Sequence, residues 1–231
     1  MAFGVTTDTF GLASGNIRCV GAGKAPEANS AQGEDSNGDV ICEKNYGADT
    51  VFTREYLVGA DTAFDAADTL GNYAIKLGSV QSGKQIHSIA AARDNKGELR
   101  VTVTGSPQGD TAANLPTYSI PWPTGYLTGG YGAKMAGLSA VTAGRVISSS
   151  ITASVQVPKG EDSQGDIATK SSHGGRMEAT NEVQSCDTTP DVTYDTANGW
   201  AAAAGSGAIN QDNTSYESGT FSAFKNLTRD T

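Results

Sequence analysis

An acidic, glycine-containing turn occurs twice in this chain in the same register, and no other feature limits the fold as much. The first copy runs Gly33-Glu34-Asp35-Ser36-Asn37-Gly38-Asp39-Val40, the second Gly160-Glu161-Asp162-Ser163-Gln164-Gly165-Asp166-Ile167. The match continues without a gap through Gly47 and Gly174, Thr53 and Thr180, and Glu55 and Glu182. Register held over that distance implies one supersecondary unit built twice. The copies lie too far apart for a solenoid, so a single all-β domain over residues 1–231 is expected, with a pseudo-repeat at 17–58 and 146–184.

The unit has a physical reading. From Val146 to Val157, Ile147, Ile151, Ala153, Val155 and Val157 point one way, and Ser148, Ser150, Thr152, Ser154 and Gln156 the other. That period of two is a half-buried strand. Pro158 removes a ladder donor and the acidic segment turns the chain, placing Glu161, Asp162 and Asp166 at a hairpin tip, as Glu34, Asp35 and Asp39 are in the first copy. Beyond the turns, Met177, Ala179 and Val183 alternate with Glu178, Thr180 and Glu182, while Phe52 and Tyr56 alternate with Thr53 and Glu55. Residues Gly21 to Gln32, rich in Gly, Ala, Ser, Pro and Asn, read as a loop inserted in the first copy only.

Elsewhere the pattern predicts one short helix over Ala60 to Leu70, with Asp61 as cap and Gly71 as stop. Ile86 to Ala92 and Leu99 to Val103 form a further hairpin, in which Gly97 is expected to supply a positive φ. Residues 105–145 carry too many prolines and glycines for long elements, yet hold Tyr118, Trp122, Tyr126 and Tyr131. Such an apolar but broken segment must pack on something. It could cover a sheet edge of its own domain or bind an adjacent subunit; these four aromatics and the amino-terminal arm, anchored by Phe3, Val5, Phe10 and Leu12, are expected at subunit contacts. A closing strand is expected over Tyr216 to Leu227, with Phe221 and Phe224 as anchors.

The expected fold class is thus mainly β: an antiparallel β-sandwich or barrel-like body with two duplicated hairpins and one short helix. A net charge of −9 argues against a protein that reads nucleic-acid sequence, which needs clustered Lys and Arg to neutralise phosphate. It leaves room for one that lets DNA pass without holding it. No apolar run is long enough to span a bilayer and the start has no basic-then-apolar pattern, so synthesis in the cytoplasm is expected. Cys19, Cys42 and Cys186 cannot all pair with one another and fit no zinc spacing; half-buried thiols in strands are expected. His87 and His173 have no nucleophile in a recognisable setting, which points away from an enzyme. Asp35-x-Asn37-x-Asp39 alternates oxygen ligands as a calcium loop does, but lacks the bidentate Glu and flanking helices of that motif. No metal or cofactor is expected. A calcium- or glycan-binding β-sandwich module stays as an alternative.

An alternating Ser/Thr/Ile strand, an Asp-x-x-Gly-Asp turn and an outgoing strand with Thr-x-Glu resemble the lumen-side hairpins of bacteriophage tail tube proteins and related virion proteins. The resemblance covers Val146 to Gln184 and, less completely, Ile17 to Val58. It implies a virion structural subunit whose copies close into rings that stack as a tube, with other virion proteins as partners and DNA passing through. Glu55, Glu178 and Glu182 would then line an acidic channel. Head decoration or another virion role is the alternative within that resemblance.

Overall fold

The computed structural model describes residues 8–13, 15–59, 62–64, 75–109, 115–186, 188–213 and 216–230. Its strands are β1 (Ile17–Glu34), β2 (Val40–Val58), β3 (Val80–Gln81), β4 (Lys84–Asp94), β5 (Leu99–Pro107), β6 (Leu138–Ala143) and β7 (Arg145–Gln156). There follow β8 (Lys159–Glu161), β9 (Ile167–Lys170), β10 (His173–Ser185), β11 (Asp191–Tyr194), β12 (Ala201–Ala202), β13 (Ala208–Asn213) and β14 (Tyr216–Asn226). One ten-stranded antiparallel sheet runs β1-β2-β5-β4-β7-β10-β14-β12, with β13 also on β14 and β3 on β4. The protein is mainly β, as the alternation implies.

The duplicated unit is a long hairpin, and its two copies agree pair by pair. Cys19 faces Tyr56 as Val146 faces Val183, Gly21 faces Glu55 as Ser148 faces Glu182, and Asn29 faces Tyr46 as Gln156 faces His173. Nearer the tips, Gly33 faces Cys42 as Gly160 faces Thr169. The irregularities repeat too: Val20 and Ile147 are both skipped, and the ladder breaks at Gly47-Ala48 and again at Gly174-Gly175. Gly47 and Gly174 both take a left-handed backbone, at φ 61 and 65, which only glycine adopts cheaply. Bulges held at equivalent positions bend both hairpins alike.

The duplication extends beyond what the sequence discloses. Along β5, Thr102, Val101 and Arg100 face Ala90, Ala91 and Ala92 of β4. In the same order along β14, Thr220, Gly219 and Ser218 face Ala208, Ile209 and Asn210 of β13. The four-stranded unit β1-β2-β5-β4 therefore recurs as β7-β10-β14-β13, and β4 meets β7 at the junction.

Period two gives this sheet one apolar and one polar face. Tyr56, Val58, Leu99, Val101, Val103, Ile89, Ala91, Ile151, Ala153, Met177 and Ala179 are buried on one side. Against them pack Phe10, Leu12, Phe64, Leu77, Tyr118, Tyr126, Ala136 and Trp200. This cover is mostly irregular chain, joined by the two-stranded β6–β11 ladder whose Tyr194 packs against the core; the mainly β class holds. Among the described residues the sheet does not close on itself within one copy, and β1 and the β12–β13 side are its edges. Two buried polar side chains hold the irregular cover. Arg93 donates to the carbonyls of Gly132 (3.0 Å), Tyr126 (2.8 Å), Thr128 (2.5 Å) and Gly130 (3.1 Å). Asn181 accepts from the Ala136 amide at 2.9 Å and donates to its carbonyl at 2.8 Å. Buried loop backbone needs such partners, because it has no ladder of its own.

Other expectations change with the geometry. Gly21 to Gln32 is not a loop; it lies within β1 and is paired with β2. Pairing between β2 and β5 stops at Phe52, so β1 and β2 continue past the sheet as a two-stranded arm of roughly 30 Å, at about 3.3 Å per residue. Most of the predicted helix, Ala60 to Leu70, falls outside the described residues, and Ala63 within it bridges Thr128 in extended form. Gly97 does not take a positive φ. Its turn is held by the Asp94 carboxylate, which accepts from Lys96 N at 2.7 Å and from Gly97 N. Cys19 is half-buried, but Cys42 and Cys186 are exposed.

Candidate functional surface

The face of the ten-stranded sheet opposite the core is predominantly polar. Across one row of the sheet lie Glu55, Thr102, Ala90, Thr152 and Glu178, and the neighbouring rows carry Ser88, Thr104, Ser148, Ser150, Ser154, Thr180 and Ser222. The three glutamates singled out from the sequence are brought to this one face, opposite the buried Tyr56, Met177 and Val183. A one-residue slip would exchange these sets, which is why the phase is so firmly specified.

Their surroundings revise the expectation of an acidic face. Glu55 Oε1 accepts from Arg100 Nη1 at 2.5 Å, Glu178 pairs with Arg176 at 3.0 Å, and Glu182 accepts from Ser148 Oγ at 3.1 Å. Arg18 and Arg145, equivalent positions of the two units, are exposed on the same side. With arginines interleaved among the carboxylates, the face carries no broad field of one sign. Short hydroxyl side chains and local ion pairs make it a hydrated surface of mixed charge.

The two acidic tips, which sequence alone left open to calcium, are matching turns. Asp35 Oδ1 accepts from Asn37 N (2.8 Å) and Asp39 N (3.1 Å); Asp162 Oδ1 accepts from Gln164 N (2.8 Å) and Asp166 N (3.0 Å). Gly38 and Gly165 complete them at φ 84 and 86. The leading aspartate is thus spent on backbone donors, as in an Asx turn. These bonds hold the Asp162 carboxyl below its ordinary range. Glu34, Asp39, Glu161 and Asp166 are exposed around the turns. Among the described residues no three metal-ligating side chains converge.

The second tip lies against the first arm. Gly47 N donates to Gly165 O at 2.7 Å and Lys44 Nζ to Gln164 O at 2.8 Å. Beneath them, Asp49 accepts from Lys170 at 2.7 Å and pairs with Lys159 at 3.0 Å, and Lys159 reaches Glu27 at 2.9 Å. Lys170 also donates to Ser106 Oγ (2.7 Å) and to Pro107 O (2.6 Å), and Ser106 stands 3.0 Å from His87 Nε2. Sequence reasoning missed this cluster, because its members come from six strands and form no motif.

Burial, and then the nearby Lys170 charge, push His87 down to about 4 from an ordinary value near 6.5. The unfolded chain therefore binds a proton that the folded chain refuses between those values. Stability from this group is complete above about pH 6.5 and is lost as pH falls toward 4, by roughly 2–3 kcal/mol. A His87→Gln protein should lose that part of the pH dependence in melts from pH 7 to 4; parallel curves for the two proteins would refute the assignment.

The aromatics predicted at subunit contacts divide. Tyr118 and Tyr126 are 6% and 1% exposed inside their own chain, and the Tyr126 hydroxyl lies 3.1 Å from Ser149, so neither is a contact surface. Phe10 and Leu12 of the amino-terminal arm are corrected likewise, being core residues, while Phe3 and Val5 lie outside the described residues. Trp122 is half-buried and stacks on Tyr126 at 6.4 Å, while Tyr131 is 68% exposed. In comparisons with known proteins, no family model and no curated protein matches the chain.

Proposed function

We propose that the chain is a structural, non-enzymatic subunit of a bacteriophage virion, the tail tube protein, whose copies close into rings that stack around a DNA-conducting channel. The carrying observation is a broad twofold-repeated sheet with one face predominantly polar, interrupted by Leu57 and Phe224, and the other covered by its own chain. If such sheets join edge to edge into a ring, the bulk of the cover must lie outside, which leaves the polar face toward the lumen. Glu55, Glu178 and Glu182, with Arg100 and Arg176 beside them, then form a wall that offers DNA no basic patch and only the isolated apolar side chains of Leu57 and Phe224. A polyanion slides along such a wall, because specific and non-specific phosphate binding both need clustered cations.

Electron microscopy of the purified chain at high concentration tests the reading: stacked rings or tubes are expected, and a monodisperse monomer absent from virions would sink it. Antibody labelling of capsids instead of tails would assign the protein to head decoration. Substituting Lys at positions 55, 178 and 182 should leave tubes intact but make them retain DNA in a salt-dependent way. Tubes of that variant that release DNA as wild type does would place these side chains away from the lumen.

A further inference from the structure

The molecule contains its own template for assembly. At the junction of the two units, β4 and β7 pair antiparallel with Ala90 opposite Thr152, Ala91 opposite Ile151 and Ala92 opposite Ser150. The equivalent of β4 in the second unit is β13, and the equivalent of β7 in the first unit is β1, by the registers given above. Both strands are edges: among the described residues β1 pairs only with β2, and β13 only with β14.

We propose that β13 of one copy pairs antiparallel with β1 of a second copy, Ala208 opposite Ala25, Ile209 opposite Lys24 and Asn210 opposite Gly23, repeating the internal junction between copies. The occupant is a second copy because this chain already joins the same two edges to each other once, with a register that both units preserve. Ala208, Ile209 and Asn210 are exposed, Ile209 at 40%, and so are Gly23, Lys24 and Ala25. On the polar side the joint would bring together Ala208 and Asn210 with Gly23 and Ala25, and on the other side Ile209 with the Lys24 stem, beside Arg54, whose Nη1 donates to Gly23 O at 2.8 Å. Lys24, Pro26 and the bulges that flank this stretch of β1 are devices by which natural sheets blunt edges left in water, so the pairing is confined to the regular stretch from Gly21 to Glu27 against Ala208 to Gln211. The contact joins two different surfaces, so it propagates head to tail and closes if the rotation permits. A ring of n copies would then display 2n nearly equivalent units.

The proposal deepens the ring reading, on which its closure rests, and engineered disulfides separate the two. In a background with Cys19, Cys42 and Cys186 changed to Ser, Asn210→Cys is combined with Gly23→Cys, and Ile209→Cys with Lys24→Cys. Hydrogen-bonded and non-hydrogen-bonded pairs alternate along an antiparallel ladder, so the two variants together include the geometry that closes a disulfide. A β-carbon at Gly23 would make ordinary contact with Thr53 Cβ at 3.5 Å, so that substitution is tolerated. An off-register variant, Asn210→Cys with Ala25→Cys, is the control.

Oxidation is expected to yield a ladder of covalent oligomers from at least one matched variant, about tenfold faster than from the control, with peptide mapping confirming the bond. Equal rates in matched and control variants would overturn the register. Rings visible by microscopy without matched cross-links would overturn the pairing and leave the ring reading standing. Neither rings nor cross-links, in variants shown to be folded by circular dichroism, would overturn both.

Discussion

Arg93→Met is expected to destabilise the protein by about 3–5 kcal/mol, the scale for removing one side of a buried charged network. The guanidinium is 3% exposed and its acceptors are four loop carbonyls, from Tyr126, Thr128, Gly130 and Gly132. Burial pushes its pKa down from the ordinary value, but an arginine remains charged throughout the accessible range. Removing it strands carbonyls that no strand or helix can satisfy, and each such group costs about 1–3 kcal/mol when it stays dry. The structure can relieve this only by letting residues 126–132 lift away, which uncovers Ile89 and Ile151. Arg93→Lys should recover little, because an ammonium cannot span the fork of acceptors. Urea titration measures the loss, and limited proteolysis locates it: cleavage should appear first between Gly125 and Gly132. A change under about 1 kcal/mol would mean that the segment holds to the sheet without this side chain.

The same residue explains why part of the fold was legible in the sequence and part was not. Alternation in 146–157 and 177–183, together with the twin turns, locates the hairpins, their phase and the common face of Glu55, Glu178 and Glu182, because period two is a local property. The strand in Gly21 to Gln32 was hidden, since an arm exposed on both sides shows no alternation and its small residues read as loop. Tyr118 and Tyr126 were misplaced for a different reason. Proline- and glycine-broken chain can be core if distant polar side chains satisfy its backbone, and nothing local marks Arg93 or Asn181 for that task. The interleaving of Arg18, Arg100, Arg145 and Arg176 with the glutamates also depends on which strands become neighbours. Likewise, β13 and β14 repeat β4 and β5 in register while sharing almost no side chains, so only the pairing reveals the second half of the duplication.

Lys170→Met is expected to cost about 3–5 kcal/mol at pH 7, because it leaves the Asp49 carboxylate buried with one cation fewer. Side chains of both partners are nearly inaccessible, 2% for Lys170 and 3% for Asp49, and Lys159 is more open at 26%. Burial alone would raise the Asp49 pKa; the hydrogen bonds from Lys170 and then Lys159 outweigh it and hold the carboxyl below its usual range. In the wild-type protein this group therefore contributes stability that is present above its unfolded value of about 3.9 and disappears as pH falls through the lower folded value. Without Lys170 the burial contribution dominates, so the folded pKa should exceed the unfolded one and the sign reverses. The variant should be penalised less near pH 4 than at pH 7, where the wild-type protein behaves oppositely. Asp49→Asn in the Lys170→Met background should restore part of the loss at pH 7 by removing the stranded charge, and a double-mutant cycle measures the coupling. Since this pair joins the first hairpin arm to the base of the second tip, amide exchange at Gly47, which donates to Gly165, should quicken with it. Unaltered exchange at Gly47 in a demonstrably destabilised variant would show that the tip is held by its backbone contacts, and that the ion pair stabilises only the base.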